Sequence, residues 1–163
     1  MTNKKKIFIA VDTNKVSRAR KIIRDTQTKK IKVGYKFGLE FFFSKDGRKF
    51  ISSLKNQTIF LDLKLNDIPN TVRSAMKSLK NLKIAYLTVH LSSGLSALKA
   101  LKKESKNIKI TGVTTLTSLN NKDLKEIGYN KKVNELVKHQ AKLAKKAKLD
   151  AIVCSGHEIR SVK

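Results

Sequence analysis

The chain alternates short apolar runs rich in β-branched residues with longer segments whose apolar residues recur at helical spacing. The short runs have the composition of β-strands, and the longer segments have the three-and-four-residue spacing of amphipathic helices. The predicted strands are Ile7–Val11, Ile31–Phe37, Thr58–Leu63, Tyr86–His90, Lys109–Thr114 and Ala151–Cys154. The predicted helices are Val16–Arg24, Lys45–Leu54, Pro69–Leu82, Leu95–Glu104 and Lys131–Ala147. This alternation favours a parallel sheet, in either a doubly wound fold or a barrel.

Neither a linker nor a low-complexity segment divides the sequence, so we predict one domain over residues 1–163. No Gly-x-Gly-x-x-Gly or Walker loop follows a predicted strand, which argues against a dinucleotide or nucleoside triphosphate fold. A chain of 163 residues is long enough to bury a core. It is short for an α/β barrel, which typically has roughly 250 residues.

The formal net charge of +25 raises the question of nucleic-acid binding, because Lys and Arg displace counterions from phosphates. The basic residues are 31 lysines and 6 arginines, and they are spread along the chain. Arg is the residue that recognises bases and phosphates bidentately. The composition therefore favours a solvated lysine-rich surface and argues against specific nucleic-acid binding.

The apolar runs and the single cysteine indicate the expected compartment. Runs such as Phe41–Phe43 and Ala85–Leu87 are far shorter than the ~20 residues of a membrane-spanning helix. Cys154 is the only cysteine, so the chain has no internal disulfide framework, which fits a reducing environment. We expect a cytoplasmic protein without membrane association, with Cys154 as a small buried residue rather than a nucleophile.

The third predicted strand carries a carboxylate and an ammonium on one face. Side chains alternate faces along a strand, so Phe60, Asp62 and Lys64 share one side. Charged groups on the inner face of a buried strand are costly unless they are paired or used. Flanking carboxylates would keep Lys64 charged and aim its proton at a developing carbanion, as a general acid. The pattern fits an edge strand with ordinary surface charges equally well.

A polar segment follows this strand directly. Asp67 comes where the strand gives way to a helix, and Pro69 is the only proline of the chain. Proline fits the first turn of a helix because its backbone nitrogen has no proton that would need a partner there. We therefore expect Pro69 to begin the next helix and to fix the direction in which the chain leaves the polar strand.

Residues 62–71 read Asp-Leu-Lys-Leu-Asn-Asp-Ile-Pro-Asn-Thr, and this segment resembles the signature of the orotidine 5′-phosphate decarboxylase family. Sister families of sugar-phosphate decarboxylases and synthases share the Asp-x-Lys-x-x-Asp core but, as a rule, not the Ile-Pro-x-Thr continuation. Other segments resemble the family's remaining landmarks in the same order: Ile9–Asp12, Lys36–Phe42, Val89–His90, Ser93–Gly94, Val113–Ser118 and Val153–Ser155. The resemblance covers nearly the whole chain and implies an α/β fold of the TIM-type (β/α)8 barrel class.

The resemblance implies decarboxylation of orotidine 5′-phosphate to uridine 5′-phosphate in pyrimidine nucleotide synthesis, with no cofactor and no metal. Lys64 would donate a proton to C6 of the pyrimidine, Asp62 would lie against the substrate carboxylate, and Lys36 would link Asp62 to the ribose hydroxyls. The catalytic residues implied are Lys36, Asp62, Lys64 and Asp67. The substrate-binding residues implied are Asp12 on a ribose hydroxyl, Lys36, Asp62, Leu63, Lys64, Leu65, Asn66, Asp67, Ile68, Pro69, Asn70 and Thr71, with Thr117 and Ser118 on the pyrimidine edge.

The resemblance also implies a homodimer, in which Asp67 and Thr71 reach the partner's site. Several of the implied site residues have simpler explanations. Asp12 could cap a helix, and Thr117 and Ser118 could organise a turn. Lys32 forms a second Lys-x-Gly sequence before Lys36, although the Leu39-Glu40 pair favours Lys36. His90 could be a core imidazole or a pocket residue.

A barrel of this family needs eight strands, and the sequence provides six. Barrel enzymes commonly bind phosphate with the loops after strands seven and eight, and the family's segments there have no counterpart in the sequence. We therefore expect a C-terminally truncated barrel of about six β/α units, with strands one and six as open edges. Remote phosphate binding can drive catalysis at the reacting carbon, so we expect impaired activity.

Two other functions remain as alternatives. A sugar-phosphate decarboxylase or synthase of the same wider group would need a divalent metal, and its activity would be lost on chelation. A basic nucleic-acid-binding protein would bind tightly, with a steep dependence on salt. The Ile68–Thr71 continuation argues against the first, and the scarcity of arginine argues against the second.

Overall fold

The structure, a computed structural model, describes residues 6–162, and residues 1–5 and 163 of the predicted domain lie outside the described residues. Its strands are β1 (Lys6–Ala10), β2 (Lys32–Gly38), β3 (Thr58–Leu65), β4 (Tyr86–His90), β5 (Lys109–Val113) and β6 (Ala151–Val153). Its helices are α1 (Val16–Asp25), α2 (Leu39–Phe43), α3 (Gly47–Ser53), α4 (Pro69–Ser78), α5 (Gly94–Glu104), α6 (Asn121–Glu126), α7 (Val133–Lys146) and α8 (Ile159–Val162). All six predicted strands are present.

The strands form one sheet in the order β1-β2-β3-β4-β5-β6. The β1–β2, β2–β3 and β5–β6 pairs are parallel, which confirms the parallel sheet that the alternation predicts. The polar strand β3 has a neighbour on each side in this order, so its charges do not belong to an edge strand. Strands β1 and β6 stand at the two ends of the order among the described residues.

The helices differ from the prediction in several places: α2 and α6 are additional, and α4 ends at Ser78 instead of Leu82. The segment predicted as Lys45–Leu54 begins at Gly47, and a short helix, α2, precedes it. The Phe41 ring of α2 packs against Phe50 of α3, with ring centroids 5.6 Å apart, a contact between two elements that local periodicity does not reveal. Helix α6 was not predicted, although the Asn120 side chain accepts from the amide of Asp123 in a capping box.

Two compact units make up the chain, and the first consists of the described residues through Leu63 together with Ser78–Leu87. One face of its strands carries buried residues such as Tyr35, Phe37 and Leu61. The Tyr35 hydroxyl, although buried, donates to the Ile23 carbonyl at 3.1 Å, so it is hydrogen-bonded as a buried polar group should be. This face forms the core between the strands and the helices α1 and α3 of the unit.

The second unit consists of Lys64–Lys77 and the described residues from Thr88 onward. Its core contains Leu98, Leu101 and Val137, all fully buried. The Asp150 carboxylate accepts from the Ile110 amide at 2.7 Å and from Lys102 Nζ at 2.6 Å, which ties α5 and β5 to the start of β6. Within residues 6–162, none of the helices has the length and apolar composition needed to cross a membrane.

Candidate active site

An ion pair joins the carboxyl-terminal halves of β2 and β3. Lys36 Nζ lies 3.3 Å from Asp62 Oδ2, and the two side chains are only 28% and 13% exposed. In the parallel register Lys36 lies opposite Phe60, so the lysine extends along the strand direction to reach Asp62. Partial burial lowers the effective dielectric around the two charges and strengthens their interaction relative to a surface pair.

A cluster of three aromatic rings lies on the face of the first unit that carries the ion pair. The Phe60 ring is 5.2 Å from the Phe8 ring and 5.6 Å from the Tyr86 ring, between centroids. Gly34 allows this packing, because a Cβ atom there would lie 2.5 Å from the Phe8 ring. Side chains alternate along β3, so Phe60 and Asp62 share this face. The ion pair therefore stands beside an apolar surface.

Asp12 is exposed and follows directly after Val11, whose amide donates to the carbonyl of Lys36 at 2.9 Å. Asp12 is not the cap of the next helix, because α1 has Lys15 at that position without a side-chain capping bond. Lys32, the alternative to Lys36, is exposed at the first residue of β2, opposite Lys6. Of the two lysines, Lys36 is the one paired with Asp62.

Lys64 lies two residues beyond Asp62 on β3, and its φ of 48° is in the left-handed region. That conformation costs an L-residue with a side chain about 1–2 kcal/mol. The Lys64 amide donates to Thr88 Oγ1 at 2.8 Å, and Thr88 on β4 is fully buried. Sequence reasoning did not identify Thr88, although a threonine inside an apolar strand is a visible signal.

The segment from Asn66 to Thr71 is exposed. Asp67 Oδ1 accepts from the Ile68 amide at 2.7 Å, and Ser93 Oγ donates to Asn66 Oδ1 at 2.9 Å. Helix α4 begins at Pro69, as predicted. Ile68 is 65% exposed, so the segment presents both a carboxylate and a large apolar side chain at the surface.

The loop after β5 is anchored at its start and exposed at its tip. The Thr115 amide donates to Gln140 Oε1 at 2.7 Å, and the Thr114 hydroxyl donates to the Val153 carbonyl at 2.9 Å. Thr117 and Ser118 are exposed, in a turn that the Leu119 amide closes on Leu116 at 2.9 Å. Sequence reasoning missed Gln140, although it lies on the apolar face of α7 with Leu136, Val137 and Ala144.

His90 ends β4 and is half-buried. Cys154 follows β6, and burial raises the pKa of its thiol, with a smaller contribution from the negative charge of Glu158. Cys154 is half-buried rather than fully buried. Among residues 6–162, no group of three or more His, Cys, Asp or Glu side chains has an arrangement that could hold a metal ion.

Known proteins similar to this chain provide evidence on its family that is independent of these contacts. The family model described as Orotidine 5′-phosphate decarboxylase / HUMPS family matches residues 5–163. The orotidine 5′-phosphate decarboxylase of Bacillus cytotoxicus is 38% identical over 135 residues, which cover 76% of this chain and 56% of the relative. Relatives of the same name from Bacillus cereus strains match to the same extent. The chain thus spans little more than half the length of these curated relatives.

Two solved structures share the fold. The crystal structure of orotidine 5′-phosphate decarboxylase from Lactobacillus acidophilus has a TM-score of 0.86 and 31% identity, over 96% of this chain and 74% of that one. The enzyme from Methanocaldococcus jannaschii, complexed with the inhibitor BMP, has a TM-score of 0.78 and 25% identity, over 98% of this chain and 73% of that one. The expected fold class is confirmed: six β/α units of a TIM-type barrel. The chain belongs to the Orotidine 5′-phosphate decarboxylase / HUMPS family.

Proposed function

We propose that this chain carries the catalytic residues of an orotidine 5′-phosphate decarboxylase, which forms uridine 5′-phosphate and carbon dioxide. The observation that carries the proposal is the Lys36–Asp62 ion pair, 3.3 Å between Nζ and Oδ2. Its carboxylate lies on β3, the strand that also bears Lys64. The matching family and the names of the curated relatives support the same activity.

The proposed reaction breaks one bond and forms one. The bond between C6 of the pyrimidine and its carboxyl carbon breaks, carbon dioxide leaves, and the electron pair stays on C6. The Lys64 ammonium then donates its proton to C6, as a general acid. Asp62 would lie against the substrate carboxylate, and like charges held close raise the energy of the bound substrate relative to the carbanion, in which the carboxylate charge has left.

The remaining residues would bind the substrate. Lys36 would bridge Asp62 and the ribose hydroxyls, and Asp12 would accept from a ribose hydroxyl. The hydroxyls of Thr117 and Ser118 would bond the pyrimidine edge, for which their exposure leaves them available. The backbone and side chains of Leu63, Leu65, Asn66, Ile68, Pro69 and Asn70 would complete the walls of the site.

Assembly and location are part of the proposal. We propose a cytoplasmic homodimer in which Asp67 and Thr71 reach the partner's site. Support comes from the exposure of both residues and of Ile68, 65% exposed between them. No cofactor takes part in the reaction proposed.

The central test is the Lys64→Ala variant. Release of carbon dioxide from carboxyl-labelled orotidine 5′-phosphate should fall by about 10³-fold or more, within the range of lost general acid catalysis. The control is Lys77→Ala, which removes an exposed lysine from α4 and should leave the rate unchanged. Undetectable release from the parent chain, or a Lys64→Ala rate within tenfold of the parent, would contradict the proposal.

The description of the matching family also covers HUMPS proteins, so a sugar-phosphate reaction is the second candidate. Such an enzyme would need a divalent metal. Chelation should leave carbon dioxide release from orotidine 5′-phosphate unchanged under our proposal. Activity on a sugar phosphate that is lost on chelation and restored by a divalent cation would favour the second candidate.

A further inference from the structure

We infer that Thr88 is a positioning residue, whose hydroxyl fixes the direction in which β3 presents the Lys64 side chain. The inference rests on the proposed function, because it concerns the proton donor proposed there. It starts from two observations in the second unit: the left-handed backbone of Lys64, with φ of 48°, and the bond from the Lys64 amide to Thr88 Oγ1 at 2.8 Å.

The value of φ at Lys64 determines the direction of its side chain. The angle describes rotation about the N–Cα bond, so when the plane of the amide is held, φ alone decides where the Cα–Cβ bond points. A φ of 48° differs from the usual parallel-strand value by roughly half a turn. The Lys64 side chain therefore leaves the backbone in a direction that an ordinary strand residue would not give it.

The Lys64 amide is held by the Thr88 hydroxyl. Thr88 is fully buried on β4, and its hydroxyl accepts from the Lys64 amide. A rigid, buried acceptor holds the amide plane, and a backbone conformation of this kind persists only when its surroundings over-determine it. Thr88 thereby acts through Lys64 and has no part in the chemical step itself.

Thr111 is a second buried threonine on a strand of the same unit. Thr111 lies on β5 and is 3% exposed, and its Oγ1 has no hydrogen-bond partner among the described residues. Thr88 and Thr111 thus share residue type, strand setting and burial, but only Thr88 bonds the amide of a left-handed residue. Thr111→Val is accordingly a matched control for Thr88→Val.

The experiment combines NMR with kinetics. In Thr88→Val the backbone shifts of Lys64 should leave the left-handed range, and its amide exchange should rise by at least about tenfold, as for one lost buried hydrogen bond. The kcat for decarboxylation should fall about 10- to 100-fold, as small misplacements of a reacting group do, with KM within about threefold. Thr88→Ser, which keeps the hydroxyl, should restore shifts, exchange and kcat, and Thr111→Val should change none of them.

Unchanged Lys64 shifts and exchange in Thr88→Val would overturn the inference, as would a Thr88→Ser variant that behaves like Thr88→Val. If Thr88→Val does not fold, Thr88→Ala provides the same comparison with a smaller side chain. A parent chain without decarboxylation counts against the proposed function. The NMR comparison then still decides whether Thr88 sets the Lys64 backbone, because it needs no turnover.

Discussion

The ends of β3 and β5 are held by different means. At the end of β3 a buried threonine hydroxyl accepts from the backbone of Lys64, and Lys64 itself carries the proposed chemistry. At the end of β5 the anchored residues are Thr114 and Thr115, bonded to the Val153 carbonyl and the Gln140 amide oxygen. The proposed binding residues Thr117 and Ser118 lie beyond the anchors, in an exposed turn.

This difference corresponds to two different requirements, one for a proton donor and one for hydroxyls that bind a ring. A proton donor must be held in one direction, and a residue on a strand with a restrained backbone meets that need better than one on a loop. Hydroxyls that recognise the edge of a ring tolerate more freedom, and loops on a rigid scaffold commonly supply such contacts. Substitutions at the two strand ends should therefore have different consequences.

After Lys64→Ala, the largest effect is expected from Asp62→Asn, also on β3. The change removes the charge 3.3 Å from Lys36 Nζ and should lower kcat about 100-fold or more, as loss of a pre-organised charge in an active site does. The control is Asp25→Asn, which removes a carboxylate from an exposed pair with Lys21 and should leave kcat unchanged. An Asp62→Asn variant as active as the parent would show that the carboxylate has no electrostatic role.

Gln140→Leu should have the next largest effect, this time on stability at the end of β5. It leaves the buried Thr115 amide without its acceptor, which should lower the free energy of unfolding by about 1–3 kcal/mol. Urea unfolding measures the change. Asn134→Leu replaces an exposed amide on the same helix and should stay within about 0.5 kcal/mol of the parent. Equal effects of the two substitutions would contradict the proposed anchoring by Gln140.

A smaller effect should distinguish glycine from alanine at position 64. Both variants lack the ammonium, but only glycine adopts φ of 48° without strain, so Lys64→Gly should be more stable than Lys64→Ala by about 1 kcal/mol. The order should reverse at Lys99, inside α5, where glycine costs about 1 kcal/mol relative to alanine. Thermal unfolding of the four variants tests both orders, and alanine being the more stable residue at position 64 would argue against backbone strain there.

The smallest effect concerns Cys154, which follows the Val153 carbonyl that anchors Thr114. Burial, and secondarily the Glu158 charge, raise the pKa of the thiol, so alkylation at pH 8 should be slower than for free cysteine. Glu158→Gln should speed it, because the negative charge of Glu158 contributes to the raised pKa of the thiol. Because the folded pKa is the higher one, this thiol's contribution to stability is full below its ordinary pKa. It is lost as pH rises through the folded value.

Much of the fold was predictable because it depends on local patterns. Hydrophobic periodicity predicted all six strands, and Pro69 marked the start of α4. The choice of Lys36 over Lys32 followed from the family resemblance, and its ion pair with Asp62 agrees with that choice. The roles of these residues in substrate binding and the dimer stay predictions.

The features that were missed depend on contacts between distant residues. Thr88 is separated from Lys64 by 24 positions, and Gln140 from Thr115 by 25. Both are polar residues on otherwise apolar faces. This pattern indicates a buried hydrogen bond, but it does not indicate which residue is the partner. The left-handed backbone of Lys64 was also unpredictable, because a lysine normally avoids that conformation.

The left-handed Lys64 has a consequence for sequence design on this fold. A method that optimised only the fit of each residue to its backbone would place glycine at position 64 and would call the natural residue a local error. Natural proteins break such rules mainly at functional sites, and stabilised designs commonly lose activity there. Lys106 and Lys148 are also left-handed, but they lie in turns, whereas Lys64 lies in a strand. Under the proposed function, the strained backbone at position 64 would be kept for the chemistry of the lysine.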